Sequence, residues 1–396
     1  MRKHVARILL PAALAACVDA QSGPDIGEGP AAAEIPIVEE VRIGGIDGEM
    51  EYTFGSVSAL APGPDGSFYV ADRQGPVVRK YDADGTHLLD VGRAGQGPGE
   101  FSSVDGLGVT YDGRVMIYDG RNARLSWFDA DGAFLESVPV VNGLGGFRGF
   151  VSSREGHAYV RVFPESGFTE TADGIPADWA RILPEGGVER LVAVPPEGRE
   201  GPRYVIQGHG GFYRPLTRMT LNALGPDGSL YSARNDEYRI ERRAPDGDIL
   251  EITRNEAPIE ATSEEIAQFE AFSESAASRP GSDRSDYFPI PETKPFMREL
   301  VVDLDGRLWV SRYTEAAYME YSEWERQDRE EKGRVNHQWR DLQRWDVFDP
   351  QGRFLGAVTF PFKTTFMTAE GDRAWGIRGG EFNEAYVVRW RLDLPE

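Results

Sequence analysis

Residues 57–101 read VSALAPGPDGSFYVADRQGPVVRKYDADGTHLLDVGRAGQGPGEF. Two turn signals, Pro64-Asp65-Gly66 and Ala83-Asp84-Gly85, stand between alternating apolar residues, the pattern of tight β-hairpins. The stretch is therefore four short strands followed by a glycine-rich exit. From Val104 the chain repeats the design as VDGLGVTYDGRVMIYDGRNARLSWFDADGAFLESVPV. One such unit cannot bury both of its faces, so copies must pack against one another.

Aligned on the first hairpin, the copies recur at Gly66, Gly113, Gly156, Gly228, Gly306 and Gly371. The second hairpins fall at Gly85, Gly132, Gly186, Gly247 and Gly352, at separations of 19, 19, 30, 19 and 46 residues. Three separations are identical, and the other two are the same unit carrying insertions. This regularity excludes a helical or an alternating α/β fold. The sixth copy (TTFMTAEGD, RAWGIRGG, EAYVVRWRLDL) has no second hairpin, whereas IVEEVRI (37–43) is an extended segment with no neighbouring partner. Placing 37–43 as the outer strand of the last copy joins the termini and removes an open edge. The expectation is an all-β, six-bladed β-propeller over residues 36–396, closed by its N-terminal strand.

Blade 2 carries Asp119-Gly120-Arg121-Asn122-Ala123-Arg124-Leu125, and Gly95-Gln96-Gly97-Pro98-Gly99-Glu100-Phe101 leads into it. The first resembles the NHL-repeat pattern Asp-x-x-Asn-x-Arg-hydrophobic, the second the connection between NHL blades. Blade 1 keeps Asp72 but has Gly75 and Val77 where Asn and Arg would stand, and blades 3 to 6 depart further. The resemblance covers 37–394 as architecture. It implies a binding platform or, as in some relatives, a lactonase or lyase, and does not choose between them.

Arg2, Lys3 and Arg7 followed by a short apolar run, Ile8 to Ala16, form a targeting signal too short to span a bilayer. It ends in Leu14-Ala15-Ala16-Cys17, which resembles a bacterial lipobox, with Cys17 as the lipidated residue. Residues 1–16 are thus a lipoprotein signal, and 17–35, rich in Gly, Pro and Ala, a flexible tether. Val18 follows the Cys, leaving no Asp as an inner-membrane retention signal, so the outer membrane facing the periplasm is the expected site. Cys17 is the one cysteine, so the body forms no internal disulfide. With 65 acidic against 43 basic residues the chain carries −22, which opposes binding to nucleic acid or to an anionic lipid surface.

In a four-stranded blade the a–b and c–d hairpins lie on one face, and the b–c loops and inter-blade connections on the other. The long insertions, 163–178, 195–217, 259–295 and 316–338, all belong to the second face and are expected to cap the channel. Thr262 with Glu265 forms a capping box, followed by Ile266, Phe269 and Phe272 at helical spacing. Trp179, Phe212, Tyr213, Tyr318, Tyr321, Trp324 and Trp339 lie in or beside these loops, to stack on a ligand or to pack the loops down. Eight residues before each first-hairpin glycine, where strand a opens, stand Ser58, Asp105, Arg148, Thr220, Arg298 and Lys363. The b strands end near Arg73, Arg121, Arg161, Arg234, Arg312 and Arg378. Arginine suits forked recognition of carboxylate or phosphate, so these positions are expected to bind a small anion or an acidic segment of a partner. The alternative is that the arginines pair with Asp of neighbouring blades.

His87 and His157 belong to the hairpin face, and His209 and His337 to insertions on the other, so no three converge as zinc ligands. Asp105, with Glu299 and Asn222, is a poor set for a hard cation. There is no G-x-S-x-G elbow or P-loop, and Gly92–Gly99 runs from strand to strand with no helix to receive a pyrophosphate. No cofactor is expected. The reading is a monomeric, lipid-anchored envelope protein that binds a protein, peptide or small anion. A lactonase-like hydrolase or lyase acting in the central channel is the alternative.

Overall fold

The computed structural model describes residues 21–22, 33–140, 149–162, 178–192, 204–206, 209–212, 216–277 and 290–395. Cys17, Arg148, residues 163–177 and parts of two other insertions lie outside them.

Six antiparallel sheets follow one another along the chain, each ordered a to d from the channel outward. Blade 1 is Val57–Pro62, Phe68–Asp72, Val77–Tyr81 and His87–Val91. Blade 2 is Gly106–Val109, Val115–Asp119, Arg124–Phe128 and Phe134–Pro139. Blade 3 is Phe150–Ser152, Ala158–Val162, Asp178–Ile182 and Val188–Val192; blade 4 is Thr220–Leu224, Leu230–Arg234, Arg239–Arg243 and Ile249–Thr253. Blade 5 is Met297–Val302, Leu308–Arg312, Gln343–Phe348 and Phe354–Phe360. Blade 6 takes Thr364–Glu370, Arg373–Gly379 and Ala385–Leu392 from the C-terminus and Ile37–Gly44 from the N-terminus. The fold is the six-bladed propeller that the hairpin spacing implies, closed as expected.

Both faces of a blade are covered by its neighbours, so the b strands Phe68–Asp72 and Val115–Asp119 are buried along their whole length. The outer strand Phe134–Pro139 is mostly exposed. Six apolar clusters fill the six seams between blades, including Trp309, Phe360, Phe366 and Trp390 between blades 5 and 6. Among the described residues the smallest lies between blades 3 and 4, around Tyr159, Trp179, Leu224 and Leu230.

The tether boundary needs moving. Ala33–Ile35 does not hang free: the Ile35 N–H donates to the Ala357 carbonyl at 2.7 Å, and Ile35 is buried in the blade 5–6 seam. Gly356 makes room for it, since a Cβ there would stand 2.7 Å from the Ala33 oxygen. Residues Gln21–Ser22 pair in parallel with Leu250 and Glu251 on blade 4.

Candidate functional site

An Asp or Asn at the end of strand b holds the entrance of blades 1, 2 and 4 in place. Asp119, fully buried, accepts from the Ser102 and Ser103 amides (2.8 and 3.2 Å) and from both the amide and the Nδ2 of Asn122. Arg124 donates to the Gly97 and Glu100 carbonyls at 2.8 and 2.6 Å. Asp72 does the same for Gly55 and Ser56, and Asn235 for Met219. In the glycine-rich exit the Gly97 amide is taken by the Glu100 carboxylate at 2.9 Å.

The positions opening strand a occupy the decorated face, but their side chains diverge. Ser58 and Asp105 line the channel. Thr220 opens its strand opposite Arg234. Arg298 is the extra residue of a bulge between Met297 and Glu299. It stacks over Tyr313 and reaches Asp341 at 3.7 Å, outside the channel lining. Lys363 pairs with Glu325 at 2.8 Å.

Most rim arginines already hold carboxylates of this chain. Arg73 reaches Asp105 at 3.4 Å, Arg234 reaches Asp236 at 3.1 Å and Arg378 reaches Glu39 at 3.6 Å. Arg312 is buried over the Tyr238 ring and donates to Asp346, Glu256 and the Phe296 carbonyl, as a strut between blades 4 and 5. Arg161 is half-buried opposite Trp179 in register, and Arg121 is exposed. The structure therefore does not gather these arginines around one anion.

The cap over blades 5 and 6 is built with care. Helix α1 (Ser263–Ala277) begins at the expected capping box, with Thr262 Oγ1 accepting from Glu265 N and Glu265 answering to Thr262 N. Glu265 also accepts from Lys294, whose fully buried ammonium donates to Asp341 and the Thr314 carbonyl as well. The Gln268 amide pairs with both backbone groups of Trp339 in the hairpin Ala316–Tyr318/Trp339–Asp341. Helix α2 (Glu323–Glu331), capped by Ser322 and Glu325, leans on blade 6 through Glu325–Lys363 and Trp324–Phe382. Tyr321 is buried and its hydroxyl accepts from the His337 amide, whereas Tyr318 is 55% and Phe382 49% exposed. The cap aromatics thus divide between packing and presentation. The side chains of Phe212 and Tyr213 lie outside the described residues.

A cavity of about 170 Å³ occupies the channel, reached by the innermost strands of all six blades. At the hairpin face it is stoppered by Arg154, whose side chain is 3% exposed. From the blade 3 turn this guanidinium donates to the Pro62 and Val109 carbonyls at 2.9 Å each and forks onto the Glu370 carboxylate, so one side chain ties blades 3, 1, 2 and 6. It satisfies edge-strand carbonyls that face the channel and have no ladder partner. The equivalent positions of the other turns are Pro64, Tyr111, Pro226, Leu304 and Ala369. Arg154 is the one charged residue in that series, which is the sequence signal for the stopper. Beyond the stopper lies a vestibule lined by Tyr111, His157, Asp227 and Arg242.

Asp303, at the channel wall, is wholly engaged by Arg307, the Asp305 amide and Trp309 Nε1, and burial pushes its carboxyl up to about 6. Asn222 also lines the channel, whereas Glu299 does not. Among the described residues no group of three or more His, Cys, Asp or Glu stands together as a metal site.

No family model matches the sequence, and no curated protein is significantly similar to it. Solved structures with a similar fold include a member of the duf4221 family from Bacteroides vulgatus (10% identity, TM-score 0.49, covering 91% of this chain and 99% of that one). Others are a gluconolactonase from Xanthomonas campestris (15%, 0.41, 92% and 91%) and the virginiamycin B lyase of Staphylococcus aureus (10%, 0.41, 90% and 99%). Likenesses at this level carry no information on activity.

Proposed function

We propose that the protein is an extracytoplasmic, lipid-anchored binding module that docks a partner protein or peptide on its decorated face. The observation that carries this reading is the cap itself. A buried Lys294–Glu265–Asp341 cluster and the Gln268–Trp339 pairing hold an insertion rigidly against the blades and leave Tyr318 facing solvent, as Phe382 does in the neighbouring turn of blade 6. Rigid exposed aromatics are the anchors that interfaces favour, since they bury large area at small entropic cost. An acidic segment of the partner would have to displace carboxylates already paired with the rim arginines, so aromatic docking is the better-supported mode.

The test is site-specific photo-cross-linking in the native envelope. A benzophenone amino acid replaces Tyr318 or Phe382, with Tyr111, 67% exposed on the hairpin face, as the control position. A discrete adduct from these two decorated-face positions and none from Tyr111 supports the reading. No adduct, or the same adducts from both faces, overturns it.

A further inference from the structure

The channel differs from the cap in kind: it is a pit rather than a platform, and its chemistry points to a second, smaller occupant. Its walls are Ala59, Ala61, Leu107, Val109, Leu224 and Met367, with a few polar groups between them. Arg154 closes the hairpin end, and the lining reaches the decorated face at Ser58 and Asp105. Among the described lining residues the charged ones are Asp105 and Asp303, and none is basic.

These two carboxylates are not equivalent. Both oxygens of Asp303 accept from close, buried donors. Asp105 Oδ2 is likewise filled, by Ser103 Oγ at 2.5 Å and the Gly120 amide at 3.0 Å. Among the described residues Asp105 Oδ1 has one donor, the Arg73 guanidinium at 3.4 Å, from an arginine 43% exposed, although the Asp105 side chain is only 10% exposed. A largely buried carboxylate oxygen with one long, solvent-screened contact has acceptor capacity left over.

We infer that the channel is a one-mouthed pocket for a small monocation, an apolar body of roughly benzene size bearing one protonated amine that donates to Asp105 Oδ1. Among the described lining residues an anion would meet two carboxylates and no basic group, Arg73 and Arg154 being held by Asp105 and Glu370, and a neutral apolar molecule would leave Oδ1 without a close donor. The cavity volume sets the body: engineered cavities of about 150 Å³ take up benzene.

The probes are benzylamine, benzyl alcohol and benzoate at pH 7, titrated calorimetrically into the full-length protein. Benzylamine is expected to saturate one site at least about tenfold more tightly than the alcohol, the usual gain from a charged hydrogen bond, with benzoate not binding. Asp105→Asn should bring amine and alcohol together. Arg73→Gln, at an exposed position, should tighten the amine several-fold by removing its competitor, a change that a purely structural Arg73 would not produce. Thr368→Phe, filling the pit, should abolish both. Saturable benzoate, an amine preference that survives Asp105→Asn, or no saturable probe at all, leaving the channel to water, each overturns the inference. None of these results bears on cross-linking at the cap.

Discussion

His337 packs against Phe269 of α1, ring centroids 5.4 Å apart, and burial first, then the neighbouring Arg340 and Arg329, pulls its imidazole down to about 4. Asp341 opposes them and Arg298 adds to them. The unfolded chain takes up that proton near the ordinary value of 6.5, so between about 6.5 and 4 unfolding binds more protons than folding retains. Stability from this group is complete above that window and is lost as pH falls through it. Asp303 works the other way, since its raised carboxyl makes stability fall as pH rises from about 4 to about 6. His337→Gln should therefore flatten the acid-side loss. Urea midpoints at pH 7 and pH 4.5 should lie closer together in the variant than in the parent, and an unchanged gap would remove His337 as the cause. At the same residue scale, several rim arginines already hold carboxylates of this chain. Their spacing was plain from the repeats, but Glu256 and Asp346, which claim Arg312, come from a different blade and from a different strand of its own.

At the scale of the element, the repeated unit is two hairpins plus a connection, and in blades 1 and 2 the connection is held by one buried carboxylate. Asp119→Ala strands the Ser102 and Ser103 amides and the Asn122 side chain, and should cost on the order of 2–4 kcal/mol. Asp119→Asn, which keeps an acceptor as Asn235 does in blade 4, should cost less. Denaturant unfolding measures both, and hydrogen exchange should show the loss first in residues 95–103. Equal costs for the two variants would mean that charge, not acceptance, matters there. Much of this element was legible, because Asp-x-x-Asn-x-Arg has a fixed local geometry. The bulge at Arg298 was not legible, since it depends on how strand a meets its neighbour.

For the whole molecule, the ring is closed by Ile37–Gly44 on Ala385–Leu392, reinforced by Ile35 in the blade 5–6 seam. A chain beginning at residue 33 should unfold at nearly the same temperature as the full chain. One beginning at residue 45 loses the outer strand of blade 6, exposes the Ala385–Leu392 edge and should aggregate. Scanning calorimetry with light scattering separates the two. A soluble, cooperative protein from residue 45 would contradict closure by this strand.

Hairpin spacing, turn chemistry and alternating apolar residues were enough for six blades, for the closing strand and for the face that carries the insertions. These features depend on a few neighbouring residues and repeat, so each copy corroborates the others. The stopper at Arg154, the buried Lys294 cluster and the unequal carboxylates of the channel emerge only when segments distant in sequence meet. The stopper joins groups from separate copies, Glu370 lying 216 residues beyond Arg154, and the Lys294 cluster joins the insertion before blade 5 to a loop within that blade. Which charge pairs with which, and which acceptor is left over, is settled by distances and burial that no local pattern encodes.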